Sequence, residues 1–118
     1  NSMFDFQKLS VYSKAKGINK EIFDLLSHKK FDKVINDQLR RAVLSIMLNI
    51  AEGSSRFSNK DRRNFIVIAR GSAFECVAIL EYLSENGQIE LEQYNYFYEK
   101  FEEISKMLFS LIRTMETK

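Results

Sequence analysis

No proline occurs anywhere in the 118 residues, where an average composition would supply roughly six. Proline breaks helix interiors because its ring removes a backbone donor and collides with the preceding turn. A chain without it can run long helices, stopped only by glycine and by polar punctuation. Gly53 and Gly87 are the natural stops, since glycine takes up the left-handed conformation that ends a helix at little cost. Ser58, with Asp61 three residues later, gives an N-cap pattern for the segment after Gly53. Glu90 and Glu92 suit the positive end of a helix after Gly87. A third break falls between Ser27 and Asp32, where polar side chains interrupt the apolar pattern. This punctuation predicts four helices, near 5–27, 33–53, 59–86 and 90–115.

Apolar periodicity supports the same division. Tyr94, Phe97, Phe101, Ile104, Leu108, Leu111 and Met115 alternate by threes and fours, the spacing of a bundle seam. Phe65, Ala69, Ser72, Cys76, Ile79 and Leu83 form the third stripe, and Ile35, Leu39, Ala42, Ile46, Asn49 and Gly53 the second. The first is weaker, with Leu9, Tyr12, Ala15, Ile22 and Leu26 around Gly17. Short links force neighbouring helices to run antiparallel, so the expected fold is all-α, an up-down-up-down four-helix bundle. Gly53 and Gly87 lie 34 residues apart, yet no side-chain pattern repeats at that interval, which excludes a tetratricopeptide array.

Hydrophobic residues make up 45% and charged residues 29%, enough to bury a core and unlike a disordered chain. The size predicts one domain over residues 3–118, with Asn1 and Ser2, which precede the first methionine, read as a tag remnant. A single cysteine, Cys76, excludes an internal disulfide, and no secretory pattern opens the chain, so a cytoplasmic location is expected. The longest apolar run, Ala42–Ala51, contains Ser45 and Asn49 and is about half the roughly 20 residues that cross a bilayer. No membrane partner is expected.

Catalytic chemistry is hard to find. His28 is the only histidine, which excludes paired Glu-x-x-His di-iron ligation, a three-histidine zinc site and most Cys-His chemistry. Its place at the basic end of the first helix reads as a helix-terminal polar residue. Cys76 sits on a seam, where a thiol behaves as a small inert hydrophobe. No glycine-rich phosphate loop is present, and Glu52 and Glu75 fall toward opposite ends of the expected bundle. Neither metal nor cofactor is expected, and the chain reads as non-enzymatic.

Two surface features remain. Leu44, Met47, Leu48 and Ala51 point away from the seam that Ile46 occupies, and Val67, Phe74 and Val77 point away from Ser72. Left in water, each large side chain forgoes about 1.5–3 kcal/mol of burial, so a homo-oligomer joined through the second and third helices is expected. Charge is also polarised. The total is only +2, but residues 1–74 carry 14 basic and 7 acidic side chains, net +7, and residues 75–118 carry 4 and 9, net −5. Arg40, Arg41, Arg56, Lys60, Arg62, Arg63 and Arg70 form a candidate phosphate-binding group; alternatively they neutralise the glutamate-rich fourth helix.

Polar residues on the seams need partners, since an unpaired buried group costs about 1–3 kcal/mol. This applies to Asn49 and Ser72. Antiparallel pairing brings Glu75 opposite Gln38 and one turn from Arg41, and places Glu52 beside the start of the third helix, within reach of its backbone N–H groups and of Arg56 or Arg62. Gly71, in mid-helix, points to close helix packing.

The stretch Gln38-Leu-Arg-Arg-Ala-Val-Leu-Ser-Ile46, then Asn49-Ile-Ala-Glu-Gly53, Arg56, Phe65, Ile68-Ala69, Gly71-Ser72 and Glu75, resembles the bacterial four-helix-bundle proteins encoded in intervening sequences of 23S rRNA genes. The opening Phe6-Gln-Lys-Leu-Ser-Val-Tyr12 extends the likeness over nearly the whole chain. The resemblance implies a cytosolic bundle assembling as a homopentamer, with no established biochemical role. More distantly, the chain is similar to the pentameric accessory proteins of diversity-generating retroelements, which bind nucleic acid and a reverse transcriptase; it is less basic than they are. Two functions are therefore expected to compete: a scaffold holding RNA or single-stranded nucleic acid, and an adaptor docking a partner protein such as a nucleic-acid-processing enzyme.

Overall fold

Helices form between the punctuation marks just described. In a computed structural model that describes residues 3–116, α1 spans Ser10–His28, α2 Lys33–Gly53, α3 Asn59–Glu85 and α4 Leu91–Glu116. No strand occurs among the described residues, and the expected tag remnant, Asn1 and Ser2, lies outside them. Ser58 caps α3 as its position suggests, its hydroxyl accepting from the Asp61 N–H at 3.1 Å. At the other end Gly87 adopts φ +72°, and the N–H groups of Gln88 and Gly87 donate back to the carbonyls of Leu83 and Ser84 at 2.8 and 3.0 Å. This doubly bonded glycine terminus satisfies carbonyls that a helix end otherwise leaves open.

Two sequence expectations need correction here. Gly53 does not end α2 by turning left-handed, because Gly87 is the only described residue with a positive φ. A Cβ on Gly53 would lie 3.1 Å from Phe65 Cβ and 3.4 Å from the Arg62 carbonyl, so the close approach of α2 and α3 favours glycine there. The turn itself is made by Ser54 and Ser55, whose hydroxyls donate to the Ala51 and Glu52 carbonyls, each at 2.7 Å. The first segment also starts later than periodicity suggests. Asp5–Lys8 forms a single 3-10 turn and Leu9 is extended before α1 begins, with Phe6 set edge-on to Tyr12 at 5.0 Å.

The four helices pack into a rod of 46 × 24 × 22 Å. The chain-order neighbours pack together, α1 also touches α4, and among the described residues the α2 and α4 backbones do not approach each other, so these two helices lie diagonally. Gln38 meets Glu75 and Ser45 meets Ser72, so numbers fall on α3 as they rise on α2. One continuous core joins all four helices, with Ile22, Leu39, Ile46, Leu80, Phe101 and Leu108 almost wholly inaccessible. Ile89 in the last link is also buried and plugs that end.

Candidate interaction surfaces

Where α2 and α3 cross, the seam carries a small polar knot. Ser45 Oγ accepts from Asn49 Nδ2 at 2.9 Å and from Ser72 Oγ at 2.9 Å, while Asn49 also donates to the Ser45 carbonyl at 2.8 Å. Ser72 and Asn49 therefore have the partners their positions require. Ser45, one helical turn before Asn49, is the hub that spacing alone did not single out. A second unread contact holds α1 to α2, where Asn19 Nδ2 donates to the Val43 carbonyl at 3.0 Å. Toward one end of α2, Gln38 Nε2 donates to Glu75 Oε2 at 2.8 Å. Toward the other, Glu52 pairs with Arg56 at 2.8 Å and not with the α3 N-terminus, which Ser58 serves. Glu52 and Glu75 thus belong to separate contacts and form no acid-base pair.

The seven basic residues do not converge on one patch. Arg56, Lys60, Arg62 and Arg63 sit around the α2–α3 turn, Arg40 and Arg41 toward the far end of α2, and Arg70 in mid-α3. Most are occupied within the chain. Arg62 Nε donates to the Arg56 carbonyl at 2.7 Å, Arg63 pairs with Glu116 at 3.2 Å, and Arg70 Nε donates to the Ser105 carbonyl at 3.3 Å. The Arg40, Arg56 and Arg70 guanidinium groups also lie over the rings of Phe23, Phe65 and Phe74, at 4.0, 4.5 and 4.8 Å. These stacked contacts hold cations against aromatic faces with modest energy, about 0.5–1 kcal/mol each at exposed sites. Among the described residues only the Arg63–Glu116 pair joins the group to a glutamate of α4.

The second apolar face is real but narrower than the sequence suggests. Leu44, Leu48, Val67 and Phe74 are exposed at 43, 51, 44 and 56%, and Ile68 joins them. Met47 and Val77 are instead partly buried against the core and Ala51 is half-buried, because α2 and α3 each pack on two neighbours and so carry a wider apolar arc.

The model for the 23S rRNA-intervening sequence protein family matches residues 7–110. The chain belongs to this family. A Bacteroides thetaiotaomicron protein of the S23 ribosomal protein family, of unknown function, has the same fold with a TM-score of 0.82 and 30% identity, over 86% of this chain and 97% of that one. No curated protein is detectably similar.

In this family member Gly71 has an unexpected setting. It is exposed, and a Cβ there would meet nothing within 4 Å, so packing inside the bundle does not explain it. A mid-helix glycine costs about 1 kcal/mol relative to alanine, and here no internal contact offsets it. Gly71→Ala is accordingly expected to raise the stability of the isolated chain by about 0.5–1 kcal/mol, measured by urea denaturation; a loss of stability would contradict the open setting.

The chemistry of the remaining candidates is limited. Burial pushes the Cys76 thiol far above its ordinary range, and the nearby Glu75 adds to this, which disfavours the reactive thiolate. His28 bonds the Asp24 carbonyl at 2.9 Å in the last turn of α1, as a helix-terminal residue does. Among the described residues no cluster of His, Cys, Asp or Glu has metal-binding geometry, and no helix is long and apolar enough to cross a membrane.

Proposed function

We propose that this protein is a non-enzymatic, homo-oligomeric scaffold: up-down-up-down bundles join through their outer α2 and α3 faces, and the assembled surface holds RNA or single-stranded nucleic acid without sequence preference. The observation that carries the reading is the set of exposed apolar side chains on the two helices, Leu44 and Leu48 on α2 and Val67, Ile68 and Phe74 on α3, which a lone bundle leaves in water at a cost that association removes. Five subunits is the number that family resemblance implies. Nucleic-acid binding is supported by the net +7 of residues 1–74 and by the basic end of each rod, where Arg56, Lys60, Arg62 and Arg63 would repeat around an assembly.

Binding of a single-stranded RNA is expected to weaken steeply as salt rises, by counterion release. Replacing Lys60 and Arg62 with alanine should flatten that dependence by about one to two phosphate contacts, read as the slope of log affinity against log salt. No retention of RNA or single-stranded DNA at low salt removes the nucleic-acid part. The internal engagement of Arg62, Arg63 and Arg70 favours a second reading, an adaptor docking a protein partner, which a nuclease-resistant, stoichiometric protein complex would support.

A further inference from the structure

Phe57, in the α2–α3 turn, is the most exposed large apolar side chain among the described residues, with 99% of its surface open to water. The local chemistry explains why the fold leaves it there. An apolar residue just before a helix N-cap commonly packs against the fourth residue of the helix. Ser58 caps α3, so that partner would be Arg62, whose Nε instead donates to the Arg56 carbonyl at 2.7 Å. The neighbouring Arg56 guanidinium lies over Phe65 at 4.5 Å. Among the described residues no aromatic ring or cation lies against Phe57 itself.

The turn around the ring is polar and basic. Every residue within three positions of Phe57 is polar: Ser54, Ser55 and Arg56 before it, Ser58, Asn59 and Lys60 after it. Residues 54–63 carry four basic side chains against one acid, Asp61. Glu52 and Glu116 also reach this end of the rod, where they are held in ion pairs with Arg56 and Arg63. Lys60 and Arg62 are in no ion pair among the described residues, and the Arg56 carbonyl engages only the Nε of Arg62.

We infer that Phe57 is a stacking platform for an unpaired base of a single-stranded nucleic acid, with Lys60 and Arg62 holding adjoining phosphates. This rests on the nucleic-acid reading and adds the side chain that meets a base; it does not depend on how many chains assemble. Every base presents a π-face, so an aromatic platform accepts any sequence, in keeping with binding that has no sequence preference. In a duplex the same faces are already stacked on one another, so the ring favours a single strand. The cations supply the attraction to the backbone. A lipid surface suits this turn less well, since interfacial anchors present a helix face of several apolar side chains, and Phe57 has only polar sequence neighbours.

The test compares a thymidine oligonucleotide of about 12 residues with a strand of the same length that lacks its bases. Wild-type protein is expected to bind the intact strand roughly 5- to 100-fold more tightly than the abasic one. Phe57→Ala should reduce that preference to near unity, keep the salt dependence of abasic binding, and leave the circular dichroism spectrum unchanged. The chain contains no tryptophan, so Phe57→Trp places a single reporter at the site: its emission should be quenched by the intact strand and not by the abasic one. Equal affinity of wild type for the two strands, or a preference that survives Phe57→Ala, overturns the stacking role while nucleic-acid binding stands. Emission from Phe57→Trp that shifts to the blue with phosphatidylserine vesicles and is unquenched by the intact strand overturns it in favour of a lipid surface. Failure of wild type to bind either strand at low salt overturns the nucleic-acid reading and the stacking role together.

Discussion

Phe101→Ala is expected to destabilise the bundle by about 3–5 kcal/mol, lowering the melting temperature by roughly 10–20 °C for a chain of this size. Among the described residues Phe101 is the largest of the fully buried side chains, and it lies midway along α4, so its removal empties the centre of the continuous core. The loss combines the transfer free energy of the ring with a cavity that surrounding helices close only in part. Phe109, two turns later and 45% exposed, is the matched control, because alanine there removes an aromatic ring without opening the core. Thermal denaturation followed by circular dichroism separates the two. A Phe101→Ala variant within about 1 kcal/mol of wild type would mean that the α4 seam does not organise the fold.

On the proposed homo-oligomer, Leu44→Glu combined with Leu48→Glu is expected to give single chains while leaving helix content unchanged. Both side chains are about half exposed, so glutamate finds solvent in the lone bundle and its substitution costs the fold little. Inside an interface the same two carboxylates would be stripped of water without partners, a penalty of several kcal/mol per charge, enough to dissociate contacts of ordinary strength. Sedimentation velocity reads the result directly. An unchanged sedimentation coefficient would show that the outer face of α2 does not join subunits. A loss of helical signal would contradict the half-exposed setting of these leucines.

The helices were legible because their signals are local. Ser58 and Gly87 act through their own backbone neighbourhood, and the α4 stripe of Phe97, Phe101, Ile104 and Leu108 needs only helical spacing to be read. The seams of α1 and α3 lie a residue away from their apparent apolar stripes in places. Val11, Ile18 and Leu25 carry α1 where Leu9 and Leu26 were expected, since α1 starts at Ser10 and Leu9 precedes it. On α3, Ile66, Ala73 and Leu80 are buried while Phe65 and Ile79 are only partly so, because this helix packs along both α2 and α4. The site residues whose meaning depends on a distant neighbour were the least legible. Gly53 is explained by Phe65, Arg63 by Glu116 and Arg70 by Ser105, and no spacing within one helix announces such contacts. Gly71 is the reverse case, an irregularity that spacing does reveal and that the isolated bundle leaves without a contact.

The molecular mass of the unmodified protein in dilute buffer at moderate salt, measured by multi-angle light scattering, tests the account at its base. A mass several times the 13.9 kDa of one chain is the predicted result, with a five-fold multiple matching the family resemblance. A mass of one chain, with Leu48 and Phe74 open to solvent in the folded protein, would contradict it.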